Sequence, residues 1–149
     1  MDSTGTYKTG DHLGVWPENC NLEVERFLQV FGQSQKKHHS FQIECRDPTT
    51  KVPIPTHATY DAAGRYYLDI CAPVSRHFLT ALIDFASDNA VKTKLLQLST
   101  DIIAFDAEVK RQHLNISQLL EHLGSTDQSA SVPASLLFEN IRKIQPRYY

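Results

Sequence analysis

Several things are scarce in this sequence, and each scarcity removes a class of function. Basic residues do not outnumber acidic ones: 15 Lys and Arg stand against 17 Asp and Glu. A nucleic-acid binder would show a basic excess. No stretch approaches the ~20 apolar residues of a membrane span. Met1-Asp2-Ser3-Thr4-Gly5 lacks the basic-then-apolar order of a secretory signal. Cysteine is limited to Cys20, Cys45 and Cys71, odd in number and widely separated. That pattern reads as reduced thiols of a cytoplasmic protein rather than a disulfide framework or a zinc site. Histidine is more frequent, but His38 and His39 are adjacent and would diverge. His57, His77, His113 and His122 fall on separate predicted elements. With no His-x-x-x-His or Cys-x-x-Cys spacing, no metal site is expected. Neither a Gly-x-Gly-x-x-Gly run nor a Walker-type loop occurs, so no pyridine-nucleotide or nucleoside-triphosphate site is expected within the chain. Ser75 and Ser135 lie outside any nucleophile-elbow context and read as cap or surface residues.

What is present is enough for one domain: 149 residues, 41% of them hydrophobic. Gly10-Asp11 signals a turn, and His12 to Trp16 reads as a short strand stopped by Pro17. Asn21 is a plausible N-cap, with Glu23 and Glu25 in the first turn. Val24, Phe27, Leu28 and Phe31 then recur at helical spacing up to Gly32. Lys36-Lys37-His38-His39 is either a solvated loop or a patch for an acidic or phosphate-bearing partner. Phe41 to Glu44 reads as a short strand, and the prolines at 48, 53 and 55 exclude helix until Thr56.

From Thr56 onward the pattern is helical. Thr56 or Thr59 caps a helix with Tyr60, Ala63, Tyr67 and Ile70 on one face. Tyr66 and Tyr67 there read as core and rim residues. Ser75 caps the next helix (Phe78, Leu79, Leu82, Phe85), and Asp88 begins another (Val91, Leu95, Leu98). Asp101 caps a fourth (Ile102, Phe105, Val109), and Asn115 to Leu123 ends at Gly124. A polar loop follows over residues 125–131. Pro133 then opens a final helix with Leu137, Ile141 and Ile144 inward. The stripes need one another for burial, so at least five helices should form one cluster over residues 56–145.

The chain closes on Gln145-Pro146-Arg147-Tyr148-Tyr149. A guanidinium is a permanent planar fork suited to phosphate oxygens, and a phenol ring is a flat face for a flat heterocycle. In a strand, Arg147 and Tyr149 share one face and Tyr148 the other. Such a run is either an ordinary strand with packed tyrosines or one face able to hold a diphosphate and stack an aromatic ring.

Four blocks carry a resemblance: the Pro-Arg-Tyr-Tyr run after the Leu-Leu-Phe-Glu-Asn-Ile helix, Gly10 to Pro17, Thr59-Tyr60 through Ile70, and Pro133 to Leu137. Together they resemble the NADPH-cytochrome P-450 reductases of the diflavin reductase family, in wording similar to the fungal members. The resemblance implies a mainly α fold: a connecting helical domain with short β pieces from an incomplete FAD-binding barrel of the ferredoxin-reductase type. Residues 10–17 and 147–149 would be barrel strands lying side by side, and residues 56–145 the connecting helical subdomain.

It further implies that Arg147 binds the FAD pyrophosphate and Tyr149 stacks on the isoalloxazine ring. Tyr148 would pack inside or touch the adenosine half. His12 either approaches the FAD phosphates or bonds its own turn. The implied activity passes electrons from NADPH through FAD and FMN to a haem protein such as a cytochrome P-450. The FMN and NADPH sites have no counterpart here, so the chain looks like a fragment, inactive by itself. Implied partners are an FMN-binding or flavodoxin-like domain and the haem acceptor. Full-length members are anchored on the cytosolic face of the endoplasmic reticulum by an N-terminal segment that this chain lacks. Other readings are an inactive helical module docking a flavoprotein, or a sulfite-reductase flavoprotein.

Overall fold

The computed structural model describes residues 10, 12–45, 47, 49, 54–124 and 132–148. Among these are seven α-helices, packed around one apolar core, and two small antiparallel sheets. The fold is mainly α.

Strand β1 (Gly14–Val15) leads through Asn19 into α1 (Asn21–Val30). Val24, Phe27, Leu28 and Val30 are buried along α1, and Phe31 beyond it is fully covered. The helix ends where Gly32 takes a left-handed φ of 62° and Gln33 donates its backbone N–H to Leu28 O at 2.7 Å. Cys20, not Asn21, is the N-cap, and it makes no side-chain cap bond. Asn21 is drawn inside the helix because its side-chain oxygen accepts from the Arg65 guanidinium. Glu25 lies beyond the first turn and faces Lys37 instead, at 3.7 Å.

β2 (Ser40–Gln42) pairs with β3 (His57–Thr59), with Phe41 opposite Ala58. The sequence pattern reads residues 56 onward as helix, so β3 is a correction. Three residues are too short to show a period, and their partner lies far away in the chain. Phe41 packs its ring 4.8 Å from Tyr60 and 5.1 Å from Phe138.

Thr59 caps α2 (Tyr60–Ala62), accepting from Ala62 N at 3.1 Å. The helix then widens into a π turn, Ala63–Tyr67. A π turn adds a residue to the cycle and rotates the residues after it about the helix axis. Leu68, fully buried, therefore takes the inward place, and Ile70 is buried beyond the helix end. Tyr67 is half-buried and Tyr66 exposed.

Four of the remaining caps form where local chemistry puts them. Ser75 accepts from Phe78 N (3.2 Å) before α3 (Arg76–Leu82), and Asp88 from Ala90 N (2.7 Å) before α4 (Asn89–Thr100). Asp101 accepts from Ile103 N and Ala104 N before α5 (Ile102–Phe105). Asn115 and Gln118 form a capping box on α6 (Ile116–His122), and Gly124 closes it at φ 74°. α7 (Ala134–Asn140) comes after Pro133, with Ile141 and Ile144 buried but past its end. One inward assignment fails: Ile102 and Ile103 are 63% and 82% exposed while Val109 is fully buried. A second π turn, Asp106–Lys110, breaks the seven-residue register that would have put Ile102 over Val109. The expected polar loop at 125–131 lies outside the described residues.

What positions the chain's two ends is a circuit of hydrogen bonds. The buried Asn19 amide donates to both Gly64 O and Leu68 O, each at 2.7 Å, and its backbone N–H donates to Arg65 O at 2.9 Å. Past this clamp, residues 67–69 run antiparallel to residues 142–144. Asp69 N donates to Arg142 O and Ile144 N to Tyr67 O, both at 2.8 Å, around a Leu68–Lys143 bridge. The chain then continues into β4 (Arg147–Tyr148), which pairs with β1. α1 is also tied to α6: the Glu23 carboxylate accepts from Asn115 Nδ2 (2.8 Å) and pairs with Arg26, which reaches Glu121 at 3.0 Å.

Asn19→Ala should strand two buried carbonyls and destabilise the fold by about 2–4 kcal/mol. Ser75→Ala, losing the cap bond to Phe78 N, should cost about 1 kcal/mol. Urea denaturation followed by circular dichroism measures both, and equal costs would deny the clamp its role.

Asp61 gives a pH signature. Burial pushes its carboxyl up, but Arg65 (3.3 Å) and Lys37 (3.5 Å) outweigh that and hold its pKa below 3.8. A folded value below the unfolded one stabilises the fold above about pH 4 and is lost as pH falls through the folded value. The stability of Asp61→Asn should therefore fall less steeply below about pH 4 than that of the parent, read from urea midpoints across the acid range.

Candidate functional site

The β1–β4 ribbon joins residues more than 130 positions apart, with Gly14 opposite Tyr148 and Val15 opposite Arg147. Of the two stretches expected to lie side by side, Gly14–Val15 and Arg147–Tyr148 are paired. Alternation along β4 sends Arg147 and Tyr148 to opposite faces. Gly14 has no side chain, and the Tyr148 ring lies against the space this leaves: a Cβ at Gly14 would sit 3.4 Å from Tyr148 Cε1. The outer part of that ring is open, with Tyr148 70% exposed. Arg147 is exposed and forms no ion pair among the described residues. Tyr149, the residue expected to stack on the flavin, lies outside the described residues.

Around this pair the ribbon is apolar and uncovered. Leu13, Val15 and Trp16 are all exposed, and His12 stands exposed at the open end. Lys143 places its Nζ 5.3 Å from the centroid of the Trp16 ring, a cation–π contact. The ribbon thus offers unpaired or ring-bound cations, Arg147 and Lys143, beside flat aromatic surface. Chemically it can meet an anion and a planar ring together.

Sequence reading missed the Trp16–Lys143 contact and the Asn19 clamp. Neither has a local spacing to betray it, since each depends on a partner over 40 residues away. Asn19 comes after Pro17 and precedes α1, where a cap search stops at the first good candidate.

A cavity of about 370 Å³ lies elsewhere, between α4, the second π turn and α6. Lys94 and Glu108 on its wall pair at 2.7 Å, and no ribbon residue lines it. Among the described residues no group of three or more His, Cys, Asp and Glu could hold a metal ion, and no helix is long and apolar enough to cross a membrane.

The whole chain, residues 1–149, matches the family described as FAD binding domain. It belongs to that family. The chain is 52% identical over 144 residues to NADPH–cytochrome P450 reductase of Aspergillus oryzae, covering 97% of this chain and 21% of that protein. It is 50% identical over 144 residues to the enzyme of the same name from Emericella nidulans, with the same coverage. To the Saccharomyces cerevisiae protein of that name it is 41% identical over 143 residues, covering 96% of this chain and 20% of the relative. The chain thus spans about a fifth of the length of these relatives. FAD is the cofactor of the family, and an exposed guanidinium beside open aromatic surface fits its diphosphate and ring system.

Gly14→Val should crowd the Tyr148 ring and change the emission of Trp16, the sole tryptophan, with far-ultraviolet circular dichroism unchanged. The expected stability loss is under about 1 kcal/mol. Unaltered emission would mean that the ring does not rest on Gly14.

Proposed function

We propose that this chain is part of the FAD-holding region of an NADPH-dependent diflavin reductase, which passes electrons from NADPH through FAD and FMN to a haem protein such as a cytochrome P450. The observation that carries the reading is the β1–β4 pairing, which puts Arg147 and Tyr148 on an open edge beside Gly14 and Trp16. Residues 10–17 and 147–149 act as neighbouring strands of one FAD barrel, and residues 56–145 as the helical subdomain between them. The exposed Leu13, Val15, Trp16 and Tyr148 support this, because a contiguous apolar edge is usually covered in the working protein.

Within the site, Arg147 neutralises the diphosphate through paired N–H donors. Tyr149 would stack on the isoalloxazine ring. Tyr148, on the opposite face, packs on Gly14 and borders the adenosine half. Bound FAD supplies the chemistry these side chains lack, accepting a two-electron hydride and releasing single electrons. FMN, NADPH and the haem acceptor belong to the longer assembly.

A second reading is favoured by Leu96, Ile102 and Ile103, all more than half exposed on α4 and α5. It makes the chain a helical module that docks a flavoprotein without holding FAD.

The affinity of the 149-residue chain for FAD should be weak. A charge-assisted contact is worth about 1.5–3 kcal/mol and an aromatic stack about 0.5–1.5 kcal/mol. Micromolar binding needs about 8 kcal/mol, before the cost of ordering ligand and tail. An FAD titration followed by flavin and Trp16 fluorescence should therefore give a Kd weaker than about 1 μM, with no NADPH-driven cytochrome c reduction. A version extended through the next residues of a fungal relative should bind FAD at least ~100-fold more tightly. Arg147→Ala or Tyr149→Ala in that version should reverse much of the gain. Sub-micromolar binding by the chain itself would overturn this division of the site. An extended version that binds a flavoprotein but no FAD would favour the docking module.

A further inference from the structure

Two cysteines that sequence spacing treats as unrelated lie on segments that the fold ties together. Cys20 is the N-cap of α1 and Cys71 lies in the tight turn closed by Ala72 N donating to Asp69 O at 3.2 Å. Both cysteines are free, on exposed residues. The turn is stapled across the first turn of α1 on both flanks. On one side Asn19, the residue before Cys20, bonds Leu68 O. On the other, Glu23 bonds Asn115, which bridges Pro73. Cys20 and Cys71 lie between the two staples. The electrostatics agree with this placement. Although the residue is exposed, burial of the thiol pushes the Cys71 pKa up to about 11, and Glu23, Cys20 and Asp69 add to the shift. The Cys71 sulfur therefore lies within electrostatic reach of Cys20.

We propose that Cys20 and Cys71 are a redox pair that closes reversibly to a disulfide and fastens the 69–72 turn to the start of α1. The oxidant is a small disulfide of the glutathione type. The Cys20 thiolate attacks one of its sulfurs, forming a mixed disulfide and releasing one glutathione thiolate. Cys71 then loses its proton to solvent, attacks the Cys20 sulfur and expels the second glutathione. Two protein thiols are oxidised, one glutathione disulfide is reduced to two thiols, and the two protons pass through solvent to the released glutathiones. Cys71 is protonated at neutral pH, so closure is the slow step. The bond closes a loop of about 50 residues, which constrains the unfolded chain. It also locks the clamp beside it: Asn19 adjoins Cys20, and residues 67–69, which align β4, adjoin the Cys71 turn. The pair stands on this geometry whether or not the ribbon binds a flavin.

The test uses the 149-residue chain with oxidised glutathione at pH 7 and pH 9, quenched by alkylation and mapped by mass spectrometry. A Cys20–Cys71 cross-linked peptide is expected, formed at least roughly tenfold faster at pH 9 because the Cys71 thiolate fraction rises with pH. Cys71→Ser should leave Cys20 as its glutathione adduct, and Cys45→Ser should leave the cross-link unchanged. Circular dichroism establishes that each variant is folded. Separate glutathione adducts on Cys20 and Cys71 without a cross-link would overturn the proposal. So would a cross-link to Cys45 in comparable amount.

Discussion

The fold depends on one side-chain amide. Asn19 sits between the first strand and the first helix, and its two N–H donors satisfy the Gly64 and Leu68 carbonyls at the end of a π turn. A π turn leaves its last carbonyls badly placed for ordinary helical partners. Burying them unpaired would cost several kcal/mol in all. With the amide in place, residues 67–69 leave the helix extended and become the template on which residues 142–144 align. Because β4 starts three residues later, its register against β1 is set by that alignment. The candidate site is therefore placed by a residue that takes no part in it.

The parts legible in the sequence are those whose physics is local. Ser75, Asp88, Asp101 and Asn115 each cap the next helix in the chain, because a cap needs only a backbone N–H two or three residues on. The left-handed glycines at 32 and 124 end their helices for a similarly local reason. β3 and Asn21 went differently because distant partners decide them, and Ile102 because a π turn just beyond it breaks the helical register. Arg65 reaches Asn21 across 44 positions, β2 recruits β3, and the second π turn rotates Ile102 into solvent. Of the candidate site, Arg147 and Tyr148 were legible through strand alternation and a family resemblance. The cation on Trp16 was not, since Lys143 meets it only after the chain has folded back.

The two π turns occupy comparable places in the architecture. Each lies at the end of a short helix; the first packs against α1, and the second leads on to α6, which itself packs against α1. The first carries Gly64 against Val24 and Phe27. The second buries Val109 and ends in the turn holding His113 at φ 53°. In both, a widened turn redirects the chain without a proline or a break in the backbone bonds.

Pairing Gly14 with Tyr148 has a topological meaning of its own. To the sheet that contains β1 and β4, everything between them is one hairpin connection, entering and leaving at points a strand-spacing apart, about 5 Å. Its length hardly matters to the sheet, because closure entropy grows only with the logarithm of loop length, and the helices hold their own core. The helical body is thus a graft: its outer helices can be enlarged or trimmed as long as residues 64–69 stay to hold the two strands in register.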